Sequence, residues 1–255
     1  MRCPLPSSES TSLFIDRRER VVPRMARVVC PGIPHHITQR GVRRFNVFLD
    51  EADHRRYLEL LAFYAPRFGL GITSYCVMTN HVHVVGVPEH EDSIAKVFRD
   101  CHGIYAAEFN KKYDKTGHVW QARPYSCALD EAHAWAAIRY VERNPVRAGI
   151  VTRAEDYPWS SARGHCGVSP DPLLSPAGDS MKRDWSAWLA EDTDGVQENR
   201  VRARTYTGRP CGNDDFVKKL EAVVGRPLAP GKPGPKPTKS PREENARLLW
   251  KADEN

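Results

Sequence analysis

The chain predicts an α+β fold, an antiparallel sheet with helices packed on it, from three observations. Residues alternate at strand period over about 33–40, and 72–87 is β-rich. They recur at helical period over about 51–67 and 92–112. The two kinds of segment follow one another as β-α-β-β-α-β-α. The first strand, IPHHITQR, sets Ile33, His35, Ile37 and Gln39 on one face. The loop after it, Gly41 to Asn46, carries Arg43 and Arg44. The first helix is capped by Asp50, places Tyr57, Leu60, Leu61 and Tyr64 on one stripe, and stops at Gly69 and Gly71. Segment 72–87, ITSYCVMTNHVHVVGV, supplies two strands joined by a turn around Met78 to Asn80. The second helix lines up Ile94, Val97, Phe98, Cys101, Ile104, Tyr105 and Phe109, with Lys111 and Lys112 at its C-terminal end. After Gly117 the sequence HVWQARPYSCAL reads as a short strand pair. A third helix runs from Asp130 to Asn144, because Pro145 disfavours helix in the residue before it. Helices on one side of the sheet, in a ferredoxin-like arrangement, follow from this order.

At 255 residues the chain is long enough for one main domain with appendages. With 27% charged residues and no apolar run approaching the length needed to cross a bilayer, it lacks a membrane-spanning stretch, and residues 1–24 lack the apolar centre of a secretory signal. A cytoplasmic location is the expectation. Cys3, Cys30, Cys76, Cys101, Cys127, Cys166 and Cys211 are scattered singly with no CxxC pair, which argues for reduced thiols and against a zinc knuckle.

The net charge of +6 is uneven: +2 over 1–25, +3 over 26–165, −4 over 166–195 and +5 over 196–255. The domain reading is therefore a disordered extension at 1–24, a main domain at 25–165, an acidic connector at 166–195 and a basic, Pro-rich tail at 196–255. A start at Met25 is consistent with the lack of periodicity before it. Within the tail, 227–241 holds six prolines and three lysines, which excludes helix and central strand.

Three groups of residues could carry chemistry. In His81-Val82-His83, strand period puts both imidazoles on one face with Val82 turned to the core, either a platform for a divalent cation or two solvated polar residues. Tyr140 and Asn144 stand one helical turn apart, able to address one ligand, or else serving as a core aromatic and a helix cap. Arg40, Arg43, Arg44, Lys111, Lys112, Arg123, Arg139, Arg143 and Arg147, interleaved with Trp120, Tyr125 and Trp135, suit a single-stranded nucleic acid, or are solvated charges around core aromatics.

These residues lie in motifs that occur in a fixed order: PGIPHHITQRG, VMTNHVHVVGV, GHVWQARPYS, RYVERNPVRAGIV and YPWSSARGH over 31–165, then RTYTGRPCGNDDFVKKLEAVVGRPLAPGKPGPKP. In that combination the chain resembles the single-tyrosine HUH transposases, in particular the REP-associated tyrosine transposase (RAYT) branch. The resemblance implies an HUH catalytic domain in which His81, His83 and Asn144 hold Mg²⁺ or Mn²⁺ and Tyr140 is the nucleophile. It implies cleavage and rejoining of single-stranded DNA hairpins of REP-palindrome type through a 5′-phosphotyrosine and a free 3′-OH. Arg43, Arg44 and the basic tail become candidates for hairpin contacts. Gly208-Arg209-Pro210 and Gly225-Arg226-Pro227 read either as minor-groove arms or as proline-bounded turns. No general base stands out, although His36 could approach the site. Many dimeric relatives carry glutamine where Asn144 stands and supply the tyrosine helix in trans. Asparagine fits the RAYT branch, for which a monomer acting in cis is expected, with a homodimer as the alternative. Two other readings stand beside this one: a hairpin-binding protein that has lost cleavage, and a phosphohydrolase using the HxH pair on a small substrate.

Overall fold

A computed structural model of the chain describes residues 27–175, 184–191 and 195–229. The expectations for residues 1–24, for Met25 and for the Pro-rich stretch beyond Ala229 lie outside them. Four strands, β1 (His35–Arg40), β2 (Leu70–Met78), β3 (His81–Pro88) and β4 (Tyr125–Ala128), form one sheet in the order β2-β3-β1-β4. Every neighbouring pair is antiparallel. The helices are α1 (Glu51–Arg67), α2 (Ser93–Lys112), α3 (Glu131–Glu142), the single turns α4 (Asn144–Arg147) and α5 (Ala162–His165), then α6 (Trp185–Ala190), α7 (Val196–Thr207) and α8 (Asp214–Val224). This is the expected ferredoxin-like α+β fold. No described helix is long and apolar enough to cross a membrane.

Helices cover both faces of the sheet, which corrects the one-sided expectation. On β2, Tyr75 and Val77 point into a core closed by Tyr57 and Leu61 of α1 and by Val97 and Phe98 of α2. Their neighbours Cys76 and Met78 point the other way, against Ala137, Ile138 and Val141 of α3 and Val201 of α7. Because both pleat faces are buried, the strands read as near-continuous apolar runs. The expected strand pair at 118–129 is one strand, β4; ahead of it only Trp120 bridges to Gly41. The third helix ends at Glu142, and Pro145 sits in the first turn of α4, where its missing N–H costs nothing.

The boundary expected near residue 166 does not separate two bodies among the described residues. Leu174 bridges to Ile72 at the β2 edge, and Tyr75 donates its hydroxyl proton to Asp171 at 2.8 Å. Trp185 and Leu189 of α6 and Val201 of α7 are buried in the second core. The described part of the basic tail is thus built into the sheet domain.

At the start of α1, Asp50 accepts from the Asp53 backbone N–H at 2.9 Å, Asp53 accepts in return from that of Asp50, and Lys112 at the end of α2 bridges both carboxylates. Asp50→Ala is therefore expected to lower stability by about 1 kcal/mol. Urea unfolding tests this, and an unchanged midpoint would mean that the cap is redundant.

Candidate active site

Residues Thr79 and Asn80 turn the chain between β2 and β3, so that Met78 pairs with His81 and Val77 with Val82. Val82 and Val84 enter the α1–α2 core, which points His81 and His83 to the opposite face, towards α3. On the adjacent β1, Thr38 lies opposite His83 and Arg40 opposite His81. His36, on the same face as Thr38, is almost fully buried.

Hydrogen bonds organise this face. The His36 and His83 rings meet through Nε2 and Nδ1 at 2.9 Å, and His36 Nδ1 lies 2.7 Å from the Thr205 hydroxyl of α7. His81 Nδ1 contacts Asn80 Oδ1 at 2.6 Å. Burial holds His36 neutral, pushing its pKa down to about 3. Burial, aided by the positive charge of Arg40 and Arg202, takes His81 down to about 3 as well. His83 is pushed well below the usual imidazole range, again chiefly by burial, with the positive charges of Arg40 and Arg147 adding to it. All three imidazoles are uncharged at neutral pH, the form in which a ring nitrogen has a lone pair to give.

Tyr140, on the buried side of α3, stands edge-on to both rings, its centroid 5.4 Å from His83 and 5.8 Å from His36. The Arg147 guanidinium lies 4.6 Å from its ring centre. Asn144, four residues beyond Tyr140, opens the single turn α4. Asn144 is buried, and its Nδ2 has no hydrogen-bond partner.

Among the described residues no three His, Cys, Asp or Glu side chains gather to hold a metal ion. A cation here would rest on the two imidazoles and the amide. The residues fit such a group: each imidazole has its Nδ1 engaged, leaving Nε2, and the side chain of Asn144 is buried with its Nδ2 unpartnered. These donors are neutral and would leave a divalent ion's charge undiminished.

The other expected contacts divide. Arg40 and Arg147 act on the histidines electrostatically, and Arg43 and Arg44 are exposed on the turn after β1. Trp120, however, is buried, donates to the His102 carbonyl and stacks on its ring at 4.4 Å, so it is a core residue and not a base platform. Lys112 is spent on Asp50 and Asp53, whereas Lys111 is exposed. Arg143 donates to the Glu191 carbonyl, and Arg139 is buried and paired with Glu191 and Glu198. Arg209 holds the Leu228 carbonyl at 2.6 Å, which makes its Gly-Arg-Pro segment a structural turn rather than a free arm. Arg123 and Arg226 line a groove of about 1320 Å³ along α2, together with Arg27. His36 does reach the site, but with both ring nitrogens engaged it is no free base. Sequence reasoning missed Asn80, Arg202 and Thr205; Asn80 stood directly before the HxH triplet and was the only one with a local signal.

The fold and site define a class: a four-stranded α+β domain with two imidazoles and a phenol on one sheet face. Residues 31–144 match the family model of IS200-like transposases. The match spans β1 to the first residue of α4, somewhat under half of the chain, and agrees with the resemblance read from the motifs. No curated protein matches the sequence. Among solved structures the chain is similar to a REP-associated tyrosine transposase bound to a REP hairpin, with a TM-score of 0.49 and 18% identity, covering 61% of this chain and 92% of that one.

Proposed function

We propose that the protein is a transposase-like enzyme of the RAYT branch that cuts and rejoins single-stranded DNA at REP-type hairpins, using Tyr140 as nucleophile. The observation that carries this reading is the convergence of Tyr140 with His81 and His83 inside the transposase-family stretch. The Tyr140 hydroxyl oxygen bonds to the scissile phosphorus as the 3′ oxygen leaves; the products are a phosphotyrosyl ester and a 3′-OH. Attack by another 3′-OH reverses the step and frees the phenol, so the bond is conserved without a nucleotide cofactor. Arg147, over the phenol ring, and Arg40 and Arg202, near the histidines, face the negative charge of the phosphate. His81, His83 and Asn144 would hold Mg²⁺ or Mn²⁺, which when bound supplies Lewis-acid stabilisation of the phosphate. Arg43 and Arg44 are the contacts proposed for the hairpin, and a monomer acting in cis is the proposed assembly.

A binding-only reading rests on the burial of Tyr140, which is 6% exposed. Incubation with hairpin oligonucleotides carrying single-stranded flanks separates the two. An adduct that resists denaturing gels and disappears with EDTA is expected with Mg²⁺ or Mn²⁺. Hairpin retention without any adduct would select the binding protein.

A further inference from the structure

We propose that Thr205 of α7 and His36 of β1 are positioning residues that fix His83 as its Nδ1–H tautomer and so present its Nε2 lone pair to a divalent cation; this rests on the reading of His83 as a ligand.

The assignment follows a chain of hydrogen bonds that starts from a group with only one role. The Thr205 hydroxyl has three polar neighbours, the Val201 carbonyl at 2.8 Å, His36 Nδ1 at 2.7 Å and Cys127 Sγ at 3.1 Å; the carbonyl can only accept, and the arrangement that satisfies all three has the hydroxyl proton on it and the thiol donating to the Thr205 oxygen. That oxygen also accepts from His36 Nδ1, which must carry the hydrogen. A neutral imidazole has one N–H, so His36 Nε2 is bare and accepts from His83 Nδ1 at 2.9 Å. The proton of His83 is thereby on Nδ1, and Nε2 is the donor atom. The ring geometry agrees: the two planes lie within 9° with centroids 5.1 Å apart, a separation accounted for by the N···N contact and two ring half-widths. The imidazoles are joined edge to edge.

A separate chain does the same for His81. The Arg44 carbonyl accepts from Asn80 Nδ2 at 3.2 Å, which turns Asn80 Oδ1 to His81 Nδ1 at 2.6 Å. Both histidines of the HxH triplet thus have Nδ1 tied through polar side chains to a backbone carbonyl, and both offer the same nitrogen. Such outer partners fix ligand tautomer and ring orientation. Thr205 lies outside the stretch that matches the transposase family, so a segment beyond the matched stretch would orient one of its ligands.

Thr205→Val keeps nearly the same shape and removes both the acceptor and the anchored proton, leaving the His36 tautomer unbiased. The test is ¹⁵N-histidine NMR of the full chain without metal, together with Mn²⁺ titration. Wild type should show His83 as Nδ1–H. Thr205→Val should show mixed His83 tautomers and Mn²⁺ affinity about 10-fold weaker, and Thr205→Ser should restore both. A structural role alone would lower the melting temperature and leave tautomer and affinity in place, overturning the proposal. An Nε2–H signal for His83 in the wild type overturns it without any variant, should Thr205→Val fail to fold. Neither readout uses DNA, so failure of hairpin cleavage would sink the proposed function while leaving the relay standing.

Discussion

Tyr140→Phe is expected to abolish the covalent protein–DNA adduct and to lower strand cleavage by about 10³-fold or more, the scale seen when a nucleophile is removed. The substitution deletes one oxygen and keeps the ring, so the edge contacts with His36 and His83 and the Arg147 guanidinium over its face are retained. Hairpin affinity should therefore stay close to the wild-type value, and the melting temperature should move little. Denaturing gels of the protein with labelled hairpin, read beside an affinity measurement on the same samples, separate chemistry from binding. An adduct formed in undiminished yield by the Phe variant would remove Tyr140 from the mechanism.

A second large effect concerns the support beneath that tyrosine. Glu142, the last residue of α3, is completely buried and accepts from Ser161 at 2.5 Å, His165 at 2.6 Å and the Trp185 indole at 2.7 Å. These donors come from the segment at α5 and from α6, so one carboxylate ties two stretches of chain to the end of the helix that carries Tyr140. Glu142→Ala leaves buried donors without an acceptor and a void in their place, and is expected to cost about 3–5 kcal/mol. That is a large share of the 5–15 kcal/mol typical of a domain. Urea unfolding measures it; a loss under about 1 kcal/mol would show that water or neighbouring groups take over the three donors. Because the end of α3 would loosen, adduct yield should fall along with stability.

Both effects depend on residues whose roles differ in how far the sequence reveals them. Tyr140 and Asn144 were legible from their spacing and motif, and His81 and His83 from strand period, because a period of two or 3.6 residues is a local property of the backbone. Glu142 stood between Tyr140 and Asn144 with no local sign of burial. The β1 face that carries His36 and Thr38 likewise had no local sign of burial, and only the packing of α3 and α7 turns it into an interior. Trp120, Lys112 and Arg209 were legible as an aromatic and two cations. Their partners, the His102 ring, two aspartates and a distant carbonyl, come from remote parts of the chain, and these partners remove them from a nucleic-acid surface.

The sequence by itself determined the order of strands and helices, the strand period that sets His81 and His83 on one face, and the tyrosine and asparagine four residues apart, because each follows from hydrogen-bond periodicity and apolar spacing within a dozen or so residues. The tertiary structure alone decided which sheet face each helix covers, which charges are already paired, and that Thr205, 169 residues beyond His36, closes the chain of hydrogen bonds behind His83. The physical reason is range. Periodicity is set by neighbours along the chain, whereas burial, pairing and the position of a proton on an imidazole are set by whatever the fold brings against it.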